Sequence, residues 1–226
     1  MSFDPLIDNL AEIIGVMFAI GYLLLAVRQI IWCWLAWILS SLLYLYVMFN
    51  AGLYMEAALQ IFYVAMGLYG WMQWSKGGTE EHLVVRRWAL GNHLFAVSVI
   101  LILTLLSGEV LSTYTTAAMP FMDALTTWGA IVTTYMVAKK LIENWIYWFV
   151  IDSISIYLFM SRELYFTAVL FFVYLFIIII GYRSWKQMEM VQDESSHLSD
   201  RSHSAFDYFG GMLKGRPGHP SVHWRL

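Results

Sequence analysis

Residues 143–152 read ENWIYWFVID. At 100° per residue, Asn144, Trp145, Trp148 and Asp152 fall in one helical stripe about 100° wide, extended by Ser155 and Phe159. An amide, two indoles and a carboxylate on one face suit a flat organic cation. Indole faces attract positive charge, by up to ~2 kcal/mol when desolvated. The acid offsets the charge, and the amide holds polar groups. A second stripe joins Gln60, Tyr63, Gly67, Gly70, Trp71 and Trp74. Gln60 and Tyr63 offer hydrogen bonds, and the two glycines leave room for a ligand or a close helix.

The elements that position these residues are membrane spans. The chain has 226 residues, 60% of them hydrophobic and only 13% charged, against about 25% charged in soluble domains. A span needs roughly 17–25 mostly apolar residues. Seven are predicted: 11–27, 30–49, 53–72, 87–106, 121–139, 142–161 and 164–183. Asp152 then lies about 15 Å into its span by helical rise, near the middle of a ~30 Å core. An acid at that depth is a candidate functional residue. The polar stretch 186–226 is expected to be a mobile cytoplasmic tail.

Twelve of the 13 Lys and Arg residues fall on one side of this topology, Arg162 alone on the other. The positive-inside rule then places the C-terminus in the cytoplasm and the N-terminus outside. The N-terminal stretch MSFDPLIDNL has no basic region or small-residue cleavage site, so no signal peptide is expected. Cys33 is the only cysteine, so no internal disulfide is expected.

Shifting the sequence by 111 residues lays 12–74 on 123–185 without a gap. Trp34 meets Trp145, Trp37 meets Trp148, Tyr63 meets Tyr174, Gly70 meets Gly181 and Trp74 meets Trp185. Ser41 stands at the counterpart of Asp152, so the negative charge belongs to the second half alone. Trp34 and Trp37 thereby join the candidate site as an opposing aromatic wall. The expected organisation is a membrane domain over 1–185, with repeat one at 12–74, a linker helix at 87–106 and repeat two at 123–185. The linker would restore the orientation of the second three-helix unit. This 3+1+3 plan with parallel repeats resembles sugar carriers of the SWEET type, an all-α integral membrane fold with its site between repeats.

Other classes fit less well. The seventh span lacks the lysine a retinal protein needs. Asp123 sits near an outer span end, about 15 Å by helical rise from Asp152, too far to share a proton. No phosphate-binding G-x-x-x-x-G-K-[ST] loop occurs, no histidines show metal-ligand spacing, and no basic patch marks a nucleic-acid partner. No metal or cofactor is expected. Trp71, Trp74 and Trp185 have the positions of interfacial belt residues.

The motifs LYGWMQW at 68–74, LYMEAALQ at 53–60, PFMDA at 120–124 and KKLIENWIYWFVID at 139–152 resemble the PnuC family of bacterial vitamin transporters, across about residues 10–187. The family includes carriers of nicotinamide riboside and relatives for thiamine or riboflavin. The resemblance implies that Asn144, Trp145 and Trp148 contact substrate, with Gln60 and Trp34 or Trp37 opposite. It also implies a homotrimer in the bacterial inner membrane. Transport would be facilitated diffusion, with the vitamin trapped by a cytoplasmic kinase. Nicotinamide riboside is the favoured substrate and thiamine the alternative; a seven-helix receptor is a remote one.

Overall fold

The computed structural model describes residues 5–50, 54–75, 84–115, 119–161 and 165–214. Lys76, Arg162, His219 and His223 lie outside them, as do the side chains of Glu56, His197 and His203. The described residues form seven helices: α1 (Pro5–Val27), α2 (Cys33–Asn50), α3 (Tyr54–Ser75), α4 (Leu90–Tyr114), α5 (Pro120–Ala138), α6 (Asn144–Ser161) and α7 (Tyr165–Lys214). The chain divides into two compact units, Met1–Gln187 and Met188–Leu226. Among the described residues, Leu90–Tyr114 and Ala168–Ser195 are each long and apolar enough to cross a bilayer.

α4 and α7 run furthest beyond their predicted spans. α4 runs on to Tyr114, where the Thr115 N–H closes the last turn on the Leu111 carbonyl. α7 runs on to Lys214, so the segment expected to be a mobile tail is helical up to that residue. Its first turns beyond Trp185 are built from Lys186, Gln187, Met188, Glu189 and Met190, all good helix formers.

The α1–α2 and α5–α6 turns are built alike. Gln29 (φ 54°) and Lys140 (φ 52°) take the left-handed conformation. The Ile30 N–H bonds the Leu25 carbonyl at 3.0 Å, and the Leu141 N–H bonds that of Met136 at 3.0 Å. The Gln29 and Lys140 N–H groups bond Ala26 at 3.0 Å and Val137 at 2.9 Å. Both are Schellman closures. Beside them sits the core of the first unit, with Cys33, Trp34, Ile142 and Trp185 fully buried. Lys139 and Lys140 fold back over aromatic rings: the Lys140 ammonium lies 4.7 Å above Trp74, and Lys139 bonds Gln73 at 3.0 Å.

The expected SWEET-like 3+1+3 arrangement with parallel repeats does not describe this packing. α4 is no linker standing between two separate three-helix units. Gly108 on α4 seats the ring of Phe121 on α5. Trp128 on α5 donates to Ser107 at 3.0 Å, and His93 meets the Tyr147 hydroxyl of α6 at 3.0 Å. The strap before α4 is pinned to the α5–α6 turn as well, with Arg86 N–H on the Lys140 carbonyl and Ile142 N–H on that of Arg86, both at 3.0 Å. α3 also packs on α5. What the 111-residue offset marks is a pair of matched local junctions: Trp34 fills the space over Gly70, and Trp145 fills that over Gly181.

Candidate functional site

A cavity of about 240 Å³ opens inside the first unit. It is walled by α1 (Ala19, Tyr22, Leu23), α2 (Trp37, Ser40, Ser41, Tyr44), α3 (Gln60, Tyr63), α6 (Trp148, Asp152) and α7 (Phe171, Tyr174, Ile178). Among the described residues, none from α4 or α5 lines it. A larger groove of about 320 Å³ runs between α4, α5 and α6. Its walls are mostly aliphatic, with Thr126 and Tyr147 as the polar side chains among the described lining residues, so it has few groups with which to orient a polar ligand.

Five of the eight residues singled out from the sequence meet at the first cavity: Trp37, Gln60, Tyr63, Trp148 and Asp152. Asp152 is 95% buried, as its 5% exposure shows, and among the described residues it is the only carboxylate in the wall. Among the described residues no Lys, Arg or His faces it there. The Asp152 carboxylate makes no hydrogen bond or ion pair among the described residues. Trp37 is held by its indole N–H, which donates to the Tyr63 carbonyl at 2.8 Å. Its ring lies 4.6 Å from that of Tyr22 and 5.2 Å, edge-on, from that of Tyr63. Ser40 is turned to the Gly15 carbonyl at 2.9 Å, tying α2 to α1.

The other three are outside the wall. Trp34 and Trp145 lie one turn nearer the basic end and are buried to 0% and 2% exposure. There they cover Gly70 and Gly181 and pack edge-on against Trp74 and Trp185, each pair 5.5 Å apart. Asn144 is fully buried at the start of α6 and donates to the Leu141 carbonyl at 2.6 Å. The stripe of periodicity was too coarse to separate them: a residue one turn along the same face can pack in the core instead of facing the hollow. Ser155 is buried outside the wall too. Trp74 and Trp185, expected in the interfacial belt, are core residues at 8% and 0% exposure.

Sequence reasoning missed Tyr22, Ser40, Tyr44, Phe171 and Tyr174. For Tyr174 the signal was available, since it is the 111-residue counterpart of Tyr63.

The family model of the nicotinamide mononucleotide transporters matches residues 9–187. The chain belongs to this family. It is a multi-pass membrane transporter, not an enzyme. Among its relatives is the nicotinamide riboside transporter PnuC of Escherichia coli, 26% identical over 165 residues, covering 62% of this chain and 69% of the relative. Another is the riboflavin/roseoflavin transporter RibM of Streptomyces davaonensis, 26% identical over 181 residues, 77% of this chain and 84% of the relative. The crystal structure of a vitamin B3 transporter PnuC superposes with a TM-score of 0.61 at 22% identity, covering 83% of both chains. The fold is thus the all-α, multi-helix membrane fold of PnuC, and this replaces the SWEET-like repeat architecture expected from the sequence.

Proposed function

We propose that the protein imports a cationic aromatic vitamin, nicotinamide riboside first, by facilitated diffusion through the Asp152 cavity. The observation that carries this reading is the wall chemistry: one buried carboxylate without a counter-ion among the described residues, set among Trp37, Trp148 and several tyrosines. A buried acid left unpaired is costly, and a cationic ring between the indoles would offset it. The family is named for a mononucleotide, but a phosphate in this cavity would meet Asp152 with no cation among the described wall residues to balance it. An unphosphorylated nucleoside fits the charge better. Thiamine carries the same kind of charge and is the alternative. Riboflavin, carried by the RibM relative, is neutral and leaves Asp152 without a partner.

In this reading Trp37 and Trp148 sandwich the ring, Asp152 offsets its charge, and Gln60 and Tyr63 hold its hydroxyls. Asn144, Trp145 and Trp34 support that wall from one turn away. The basic end faces the cytoplasm, by the positive-inside rule, with the N-terminus outside. The carrier domain spans 1–185, and 186–226 is cytoplasmic. The working form is a homotrimer, and a cytoplasmic kinase traps the vitamin. Counterflow in proteoliposomes tests the mode of transport. Labelled nicotinamide riboside should enter vesicles preloaded with unlabelled vitamin, with no ATP or ion gradient. Uptake that requires a gradient would contradict facilitated diffusion.

A further inference from the structure

The two cavity tryptophans are not equivalent, and a glycine explains why. In an α-helix the carbonyl of residue 63 already accepts the N–H of residue 67. Its second lone pair takes the Trp37 indole N–H at 2.8 Å. A side chain on residue 67 would obstruct this approach: a Cβ at Gly67 would lie 2.9 Å from Trp37 Cδ1 and 2.6 Å from Ile38 Cγ1. Gly67 therefore opens one turn of α3 to an indole from α2. At the matched position of the other half stands Ile178, itself in the cavity wall. Trp148 has no such docking place, and among the described residues its indole N–H has no acceptor.

We infer that Gly67 sets the specificity of the cavity by dividing the work between the indoles: it seats Trp37 as a fixed wall whose N–H is consumed within the protein, leaving Trp148 as the indole that offers its N–H to the ligand. Gly67 is thus a positioning residue, acting through Trp37. The inference rests on the cavity being the vitamin site.

Indole N–H resonances of nitrogen-15-labelled protein, titrated with nicotinamide riboside, test it. Trp37→Phe and Trp148→Phe variants assign the two signals. In the wild type the Trp37 signal should exchange slowly with water and hold its position during the titration, while the Trp148 signal moves. Movement of Trp37, or a Trp148 signal that stays put while the ligand binds, overturns the inference without any Gly67 variant. In Gly67→Ala, the Trp37 signal should lose its protection and affinity should fall about tenfold, because the new methyl group overpacks the wall. Unchanged signals from Trp34, Trp145 and Trp185 would show that the variant is folded. A folded Gly67→Ala protein with wild-type affinity and a protected Trp37 overturns the inference. Wild-type protein that fails to bind at all overturns the cavity reading itself.

Discussion

Trp185 donates its indole N–H to the Ala26 carbonyl at 3.0 Å, across 159 residues of sequence. Trp74 makes the matching bond to the Val137 carbonyl at 3.3 Å, and both pairs are related by the 111-residue offset. α7 is thereby clasped part-way along its length to the end of α1, and the end of α3 to that of α5. Ser184 adds a bond to the Val27 carbonyl at 3.2 Å. Trp185→Phe keeps most of the ring and deletes the bond. It should cost about 1 kcal/mol of stability, read from unfolding in detergent. Trp185→Ala should cost about 3–5 kcal/mol, since it empties a fully buried site. Equal stability of the two variants would contradict the larger share assigned to packing of the ring, and a Trp185→Phe protein as stable as wild type would contradict the hydrogen bond's share.

The glycines beneath the buried indoles predict a sharper contrast. A Cβ on Gly181 would lie 2.5 Å from the Trp145 ring, and one on Gly70 would strike Trp34. Gly181→Ala and Gly70→Ala should each destabilise by about 1–3 kcal/mol through overpacking. Gly21 has nothing within 4 Å of its would-be Cβ, so Gly21→Ala should be neutral or slightly stabilising. Melting temperatures of the three variants check this, and a uniform effect would count against the packing account.

Trp145 and Trp148 differ by one turn and should differ in kind. Trp148→Ala removes a cavity wall and should weaken vitamin binding about thirtyfold, the worth of a desolvated cation–π contact of ~2 kcal/mol. Its stability should change less than that of Trp145→Ala, which opens a cavity in the core. Trp145→Phe should lower stability while leaving affinity near wild type. Titration and unfolding of each variant decide; a Trp145→Phe protein that keeps its stability and loses its affinity would move Trp145 back into the site.

This contrast also shows how far the sequence could be read. The apolar composition, seven helical segments and aromatic-acid stripe were legible because each rests on local pattern. The split between Trp145 and Trp148 was not, because it depends on Gly181 from another helix meeting one indole and not the other. The architecture was misread for a similar reason. The match of 12–74 with 123–185 is real in the Schellman turns and the tryptophan clasps. It says nothing of where α4 packs, which is set by Gly108, Phe121, Ser107 and Trp128. α7 outran its predicted end because a polar stretch rich in helix formers has no apolar period to betray it.

Charge selection should reside in Asp152. Asp152→Asn keeps the size of the side chain, exchanges one acceptor oxygen for an amide donor and removes the charge. It should weaken cationic nicotinamide riboside by about tenfold or more, in line with the worth of a hydrogen-bonded charge. The same change should narrow the gap between nicotinamide riboside and its 5′-phosphate, because the repulsion of the phosphate is lost. Competition binding measures both. An unchanged ratio would assign Asp152 a structural role.

The most direct measurement is calorimetric titration of the purified protein with nicotinamide riboside, thiamine, riboflavin and nicotinamide mononucleotide in parallel. The account predicts tight binding of nicotinamide riboside, with the mononucleotide much weaker and riboflavin not bound. Tight binding of riboflavin or the mononucleotide, with neither cationic vitamin bound, would contradict it.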